Sequence, residues 1–225
     1  MRVIAIIPAF NEAKNIVPTA KSVMDKNIDV IVINDASQDE TEAECIKNGI
    51  PFISLCNNLG IGGAVQCGYK YALAHKYDIA FQFDGDGQHD INSINTLVEP
   101  IVNDEADFVI GSRFLGQSTF LSTKLRRIGI KWLSIMIRLL SGKKVSDPTS
   151  GYRVANARII KYFAQCYPVD FPEPESTMWL LKKGYRVTER PASMFERKNG
   201  QSSIRMLDSV YYIIKVSLAL LITKG

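Results

Sequence analysis

Two short β-branched runs near the start, "RVIAIIP" (2–8) and "DVIVIND" (29–35), end in polar residues, and each is followed by a segment with helical periodicity. That alternation constrains the fold more than any other feature. The first helical segment runs on from Glu12; the second, "SQDETEAECIKNG", opens with Ser37 and Asp39 as cap candidates and closes on Gly49, a residue suited to a helix C-terminus. Further on come "PFISL", the glycine-rich "NNLGIGGAVQCGYKYALAHK", the run "IAFQFD", a helical segment from Ile91, and "DFVIGS". Strand and helix in turn predict an α/β fold with a mostly parallel sheet flanked by helices.

In such sheets a ligand binds beyond the carboxyl ends of the strands. The polar residues there are Asn11 and Glu12, Asn34 and Asp35, Asp84 with Asp86 and Gln88, and Ser112 with Arg113. Oxygens, amides and one guanidinium at four strand ends suit a phosphorylated ligand and a metal. The stretch "FQFDGDGQHD" (81–90) is the sharpest of these signals. Carboxylates at alternate positions repel each other unless a cation or ligand lies between them. Asp84, Asp86 and Gln88 are all oxygen donors, which suits Mg²⁺ or Mn²⁺ and not zinc. An EF-hand is excluded, because its sixth position would be His89 and its twelfth Asn95. A solvated turn is the plain alternative.

The glycine-rich segment fails the dinucleotide fingerprint, since Val65 stands where the third glycine belongs. Its glycines fit either approach of a helix N-terminus to a phosphate or close packing of that helix on the sheet. "SDPTSGYR" (146–153) reads as a rigid turn that carries a carboxylate, Asp147, and a guanidinium, Arg153.

Charge balance is mild, 27 Lys and Arg against 23 Asp and Glu, too little to argue for nucleic acid. Its distribution says more: Arg113 to Val145 holds eight basic residues and no acid. Within it, "LRRIGIKWLSIMIRLL" sets Leu125, Ile128, Trp132, Ile135 and Leu139 on one stripe and Lys124, Arg127, Lys131 and Arg138 on another. This is either a core helix with a solvated basic face or a helix lying in a membrane interface, and Trp132 with the absence of acid favours the interface. The apolar segment from Ile204 to Thr223, interrupted by Asp208 and Lys215, could pack on the domain, mediate oligomerisation or anchor peripherally; anchoring is the expectation. We expect one domain over 1–203 and this helix over 204–225. No stretch reaches the roughly 20 apolar residues of a spanning helix. Four cysteines without metal-ligand spacing, and no signal-like segment before the first strand, suggest a reducing cytoplasm.

In order, "IIPAFNE", "INDASQDET", "NLGIGGA", "FDGDGQH", "IGSR", "DPTSGYR" and "RKNGQSS" resemble the pattern of family 2 glycosyltransferases, and more narrowly the dolichyl-phosphate mannosyltransferase and polyprenyl-phosphate glycosyltransferase branch. The resemblance implies a GT-A (Rossmann-like) fold and inverting, metal-dependent transfer of a sugar from a nucleotide diphosphate donor, GDP-mannose or a UDP-hexose, to a polyprenyl or dolichyl phosphate. It implies a nucleotide pocket at Pro8, Phe10, Glu12 and Asp35, with Asp84 by the ribose and metal, and Asp86 and Gln88 as ligands of Mg²⁺ or Mn²⁺. Arg113 would reach the phosphates, Asp147 would hold the position proposed as catalytic, and Arg153 and Arg197 would face donor or acceptor phosphates. Asn34 stands where many relatives carry the first of two aspartates, and Ser203 replaces a common lysine, with Lys198 and Arg205 nearby. The expected setting is the cytoplasmic face of a membrane, with peripheral association. The competing readings are the same fold acting on a soluble saccharide, a nucleotidyltransferase, and a non-catalytic module that binds nucleotide sugar at a membrane.

Overall fold

Strand β1 (Val3–Ala9) is buried on both sides, with Ile4 and Ile6 in one apolar cluster and Ala5 and Ile7 in another. A strand covered on both faces needs no polar alternation, which explains why its sequence reads as one continuous apolar run. The computed structural model describes residues 1–115, 124–195 and 206–223. Its other strands are β2 (Asp29–Asn34), β3 (Phe52–Ser54), β4 (Ile79–Gln82), β5 (Phe108–Ser112), β6 (Arg153–Asn156) and β7 (Val187–Pro191). They form one seven-stranded sheet in the order β3-β2-β1-β4-β6-β5-β7. β6 alone is reversed, pairing antiparallel with β4 and β5.

The helices are α1 (Ile16–Met24), α2 (Thr41–Lys47), α3 (Gly60–Ala74), α4 (Ile94–Val102), α5 (Lys124–Ser141), α6 (Ala157–Gln165), α7 (Pro172–Lys182) and α8 (Met206–Ile222). One short 3₁₀ turn, Ile91–Ser93, precedes α4. The expected alternation is present, and the second helical segment does close on Gly49, at φ +63 in the left-handed region that follows many helix ends. Its start differs in detail: Glu40 occupies the N-cap, and Asp39 accepts from the Thr41 amide at 3.0 Å.

Two glycines of the glycine-rich helix serve packing. A Cβ at Gly62 would lie 2.2 Å from the Pro168 carbonyl oxygen, and one at Gly68 would lie 2.2 Å from Ile6 Cγ2. These glycines let α3 press against β1 on one side and the segment after α6 on the other.

On α5 the buried side chains are Ile130, Leu133 and Ile137, offset from the stripe singled out in sequence. Ile128, Trp132, Ile135 and Leu139 are 65%, 48%, 44% and 76% exposed, so that stripe is no core face. α8 packs on α5 and α7, with Val216 and Leu220 fully buried, and the Trp132 indole N–H donates to Ser217 Oγ at 2.9 Å. Its other side exposes Ile214, Leu218, Leu221 and Ile222. Among the described residues no helix is long and apolar enough to cross a membrane.

Candidate active site

Because β2, β1 and β4 are neighbours, their carboxyl ends bring together residues far apart in sequence. Pro8 is buried within β1, Phe10 is exposed just past it, and Glu12 accepts from Asn15 Nδ2 at 2.7 Å. Asp35, buried after β2, accepts the Leu59 amide at 2.7 Å and so ties down the entry to α3. Asn34 is buried too; its amide donates to Glu42 and Ser54, and its carbonyl oxygen accepts from the Ser37 amide. It is a structural group that shapes the loop after β2.

Asp84 and Asp86 follow β4 and are partly exposed. Asp86 accepts the Gln88 amide at 3.0 Å, a tight turn that sets the two carboxylates and the Gln88 side chain on one short loop. Asp84 is held from several sides. Gln82 Nε2 donates to its Oδ1 at 3.2 Å, and His89 Nε2 lies 3.3 Å from its Oδ2. His89 Nδ1 accepts the Asp84 amide at 3.1 Å, and its ring stacks on Tyr152 at 4.8 Å. Burial lowers the His89 pKa, against the raising effect of Asp84, so the ring is neutral and its remaining proton sits on Nε2, facing the carboxylate. Among the described residues no group of three His, Cys, Asp or Glu side chains forms a ready cage. The donor set still fits a hard cation, which typically takes one or two carboxylates and completes its shell with water and substrate phosphate.

The "DPTSG" loop meets this loop directly. A Cβ at Gly151 would lie 2.7 Å from Asp84 Oδ2, so only glycine allows the loop so close to the carboxylate. At its other end Asp147, 0% exposed, accepts from Arg113 Nε at 2.7 Å, Nη2 at 2.6 Å and the Arg113 amide at 3.0 Å. Thr149 Oγ1 accepts from the same Nη2 at 2.8 Å. Arg113 in turn lines a cavity of about 580 Å³ with Arg127, Lys131, Arg138, Lys144 and Ser146. The basic stretch seen in sequence thus becomes the wall of one cavity beside an exposed apolar face.

Arg153 corrects an expectation. It is fully buried on β6, and its guanidinium donates to the Ser150 and Pro148 carbonyls and to Ser176 and Thr177. It ties the "DPTSG" loop to the middle of α7, with its guanidinium closed off from solvent. Arg197, with Lys198, Ser203 and Arg205, lies outside the described residues.

Two residues beside the site, Glu173 and Glu189, carried no recognisable signal in the sequence, and His89 was visible only as part of a motif. Glu173, in the first turn of α7, has its pKa raised by burial, with Arg153 opposing and Asp84 adding to the rise. Glu189 on β7 accepts from the amides of Ser146 and Asp147 at 2.7 and 2.8 Å. Only the fold brings the last two next to motifs many residues away.

A family model described as "Glycosyl transferase family 2" matches residues 4–163. The chain is 32% identical over 193 residues to an uncharacterized protein of Methanocaldococcus jannaschii, covering 84% of this chain and 79% of that one. It is also 32% identical over 179 residues to a UDP-N-acetylglucosamine–dolichyl-phosphate N-acetylglucosaminyltransferase of Methanococcus voltae, covering 71% of each. With an undecaprenyl-phosphate mannosyltransferase of Micrococcus luteus it shares 29% identity over 221 residues, covering 91% and 88%. Among solved structures, glucosyl-3-phosphoglycerate synthase from Mycobacterium tuberculosis with Mn²⁺ and UDP-glucose superposes with a TM-score of 0.70 at 18% identity, over 100% of this chain and 80% of that one. That likeness establishes the GT-A fold. The chain belongs to glycosyl transferase family 2 and is a glycosyltransferase of the polyprenyl-phosphate branch.

Proposed function

We propose that this protein transfers a sugar, with inversion, from a nucleoside diphosphate sugar to a polyprenyl or dolichyl phosphate at a membrane surface. The observation that carries the reading is the "DPTSG" loop, which touches the Asp84 carboxylate through Gly151 and grips Arg113, a wall of the basic cavity, through Asp147. One short element therefore joins a metal-suited acidic loop to a cluster of cations next to an apolar surface. A saccharide acceptor needs neither the cations nor the exposed Ile128, Trp132 and Leu139. The dolichyl- and undecaprenyl-phosphate transferases among the relatives support the same acceptor class.

In this reading Pro8, Phe10, Glu12 and Asp35 bound the nucleotide, and Asp84, Asp86 and Gln88 would hold Mg²⁺ or Mn²⁺. The Mn²⁺ in the Mycobacterium tuberculosis synthase supports a divalent ion. When bound, such a cation offsets the charge that develops on the leaving diphosphate. Arg113 contributes a fixed positive charge to the same end, in a site where little reorganisation is needed. A lipid monophosphate has a second pKa of about 6 and is mostly dianionic at neutral pH, so it needs no strong base. Asp147 matches that economy. It is buried, both oxygens are held by Arg113, and its part is to aim the guanidinium instead of taking a proton. Exposed apolar side chains on α5 and α8 would rest on the membrane with Arg127, Lys131 and Arg138 turned toward anionic headgroups, on the cytoplasmic face.

The test is release of nucleoside diphosphate from a panel of UDP- and GDP-sugars with Mg²⁺ or Mn²⁺, with and without a short-chain polyprenyl phosphate. Release that depends on the lipid phosphate is expected. Donor turnover indifferent to the lipid would refute the acceptor assignment.

A further inference from the structure

Glu189 on β7 belongs to none of the sequence motifs, yet its carboxylate grips the entry to the "DPTSG" loop at two successive residues. Oε2 accepts the Ser146 amide at 2.7 Å and Oε1 accepts the Asp147 amide at 2.8 Å, while Ser146 Oγ donates at 2.9 Å to the two oxygens. One carboxylate oxygen on each of two successive N–H groups fixes the peptide between them, and with it the direction of the Asp147 side chain. Pro148 restricts Asp147 from the other side to extended backbone. Asp147 then holds Arg113 through two side-chain bonds and one backbone bond. The order is therefore Glu189, loop amides, Asp147 carboxylate, Arg113 guanidinium, cavity.

β7 pairs in parallel with β5, Ile110 opposite Glu189, so the strand that carries Glu189 also borders the strand that delivers Arg113. A carboxylate fixed to this frame orients the cation at one remove, because Asp147 lies between them. We propose that Glu189 is a positioning residue for glycosyl transfer, acting on the reaction through Asp147 and Arg113. The inference rests on the reading that Arg113 serves a phosphate group during transfer.

Glu189→Gln keeps the side chain's shape but turns an NH₂ group toward one of the two amide donors, so the Ser146–Asp147 peptide must shift. The experiment compares Glu189→Gln, Arg113→Ala and the double variant in the full chain, with farnesyl phosphate as acceptor and whichever UDP- or GDP-sugar the panel shows to be used. We expect Glu189→Gln to lower kcat/KM about 10- to 100-fold, as loss of hydrogen bonds to a charged group does. Binding of the nucleoside diphosphate with Mn²⁺ should stay within about twofold, since Asp35, Asp84 and Asp86 lie on other strand ends. In the Arg113→Ala background the same substitution should cost less than about threefold, the non-additivity of residues acting in series. Ser146→Ala, which removes one hydroxyl and keeps the two amide bonds, should show a smaller loss with the same dependence on Arg113.

Multiplicative losses in the double variant, or equal losses in nucleotide binding and turnover, would overturn the proposal and make Glu189 a general support of the sheet edge. If Glu189→Gln fails to fold, the Ser146→Ala cycle decides in the same way. Arg113→Ala with unchanged turnover would overturn the phosphate reading of Arg113, and the Glu189 proposal with it. Loss in Arg113→Ala together with no effect of Glu189→Gln would overturn the Glu189 proposal alone.

Discussion

Arg113 and Asp147 meet in a two-bond pair, Nε to Oδ2 at 2.7 Å and Nη2 to Oδ1 at 2.6 Å, with side chains only 4% and 0% exposed. A buried pair of this kind is costly to break from one side, because the remaining charge is left in a poor solvent, at about 3–5 kcal/mol. The pair is therefore both a structural joint and the means by which one motif acts on another.

Asp147→Asn keeps one acceptor but loses the charge that holds the guanidinium. Turnover should fall by about two orders of magnitude, with donor binding changed only a few-fold, as for an interaction realised in the transition state. Paired measurements of kcat and of nucleotide-sugar affinity check this. Unchanged turnover would remove Asp147 from the reaction.

Gly151→Ala places a methyl group where Asp84 Oδ2 would be 2.7 Å away. The loop or the carboxylate has to move, and either motion disturbs the donor set. Activity should drop at least tenfold, in line with the sensitivity of catalysis to displacements of about 1 Å. Circular dichroism should show the fold retained; wild-type kinetics would mean the loop and Asp84 do not need this contact.

Asp86→Asn removes one anionic oxygen from the candidate cation site. Calorimetric titration of Mn²⁺ in the presence of UDP or GDP should show affinity weakened by about tenfold or more, given that even outer partners of metal ligands are worth 10- to 100-fold. The reading of Asp86 as a ligand fails if the two proteins titrate alike.

Glu173 offers a test of pH dependence. Burial raises its pKa, so the folded state binds this proton more tightly than the unfolded chain does. Its contribution to stability is full below the ordinary carboxylate range and declines as pH rises through the raised value. Glu173→Gln, neutral at every pH, should gain in Tm relative to wild type between pH 4 and pH 8. A difference in Tm that stays flat over that range would contradict the assignment.

Lys131→Glu reverses a charge in the cavity wall next to exposed Trp132. Sedimentation with anionic liposomes at low salt should weaken several-fold, by about 1 kcal/mol for each basic residue near such a surface. Trp132 fluorescence should lose its response to the vesicles. Equal binding by both proteins would separate the basic cavity from any membrane contact.

The sequence by itself determined the α/β class, the parallel strands and the polar residues at their ends. Period and composition are local quantities, and β1, β2, β4 and β5 are long enough in apolar residues to declare themselves. That Asp84 and Asp86 stand on one loop was equally legible, since residues two apart stay close whatever the rest of the chain does. Which face of α5 is buried was not legible. Ile128, Trp132, Ile135 and Leu139 form as good an apolar stripe as Ile130, Leu133 and Ile137, and only the packing of α8 and the sheet chose between them. The same holds for the two arginines. Arg113 and Arg153 both follow recognisable motifs, but the reversal of β6 turns Arg153 into the interior while Arg113 reaches the cavity wall. Glu189 meets Asp147 because β7 pairs with β5, a contact between residues 42 apart that no local pattern encodes. What tertiary structure decided, then, was which charges are spent on holding the loop and which are left to face a ligand. Burial and pairing set that division, and both are properties of the assembled sheet.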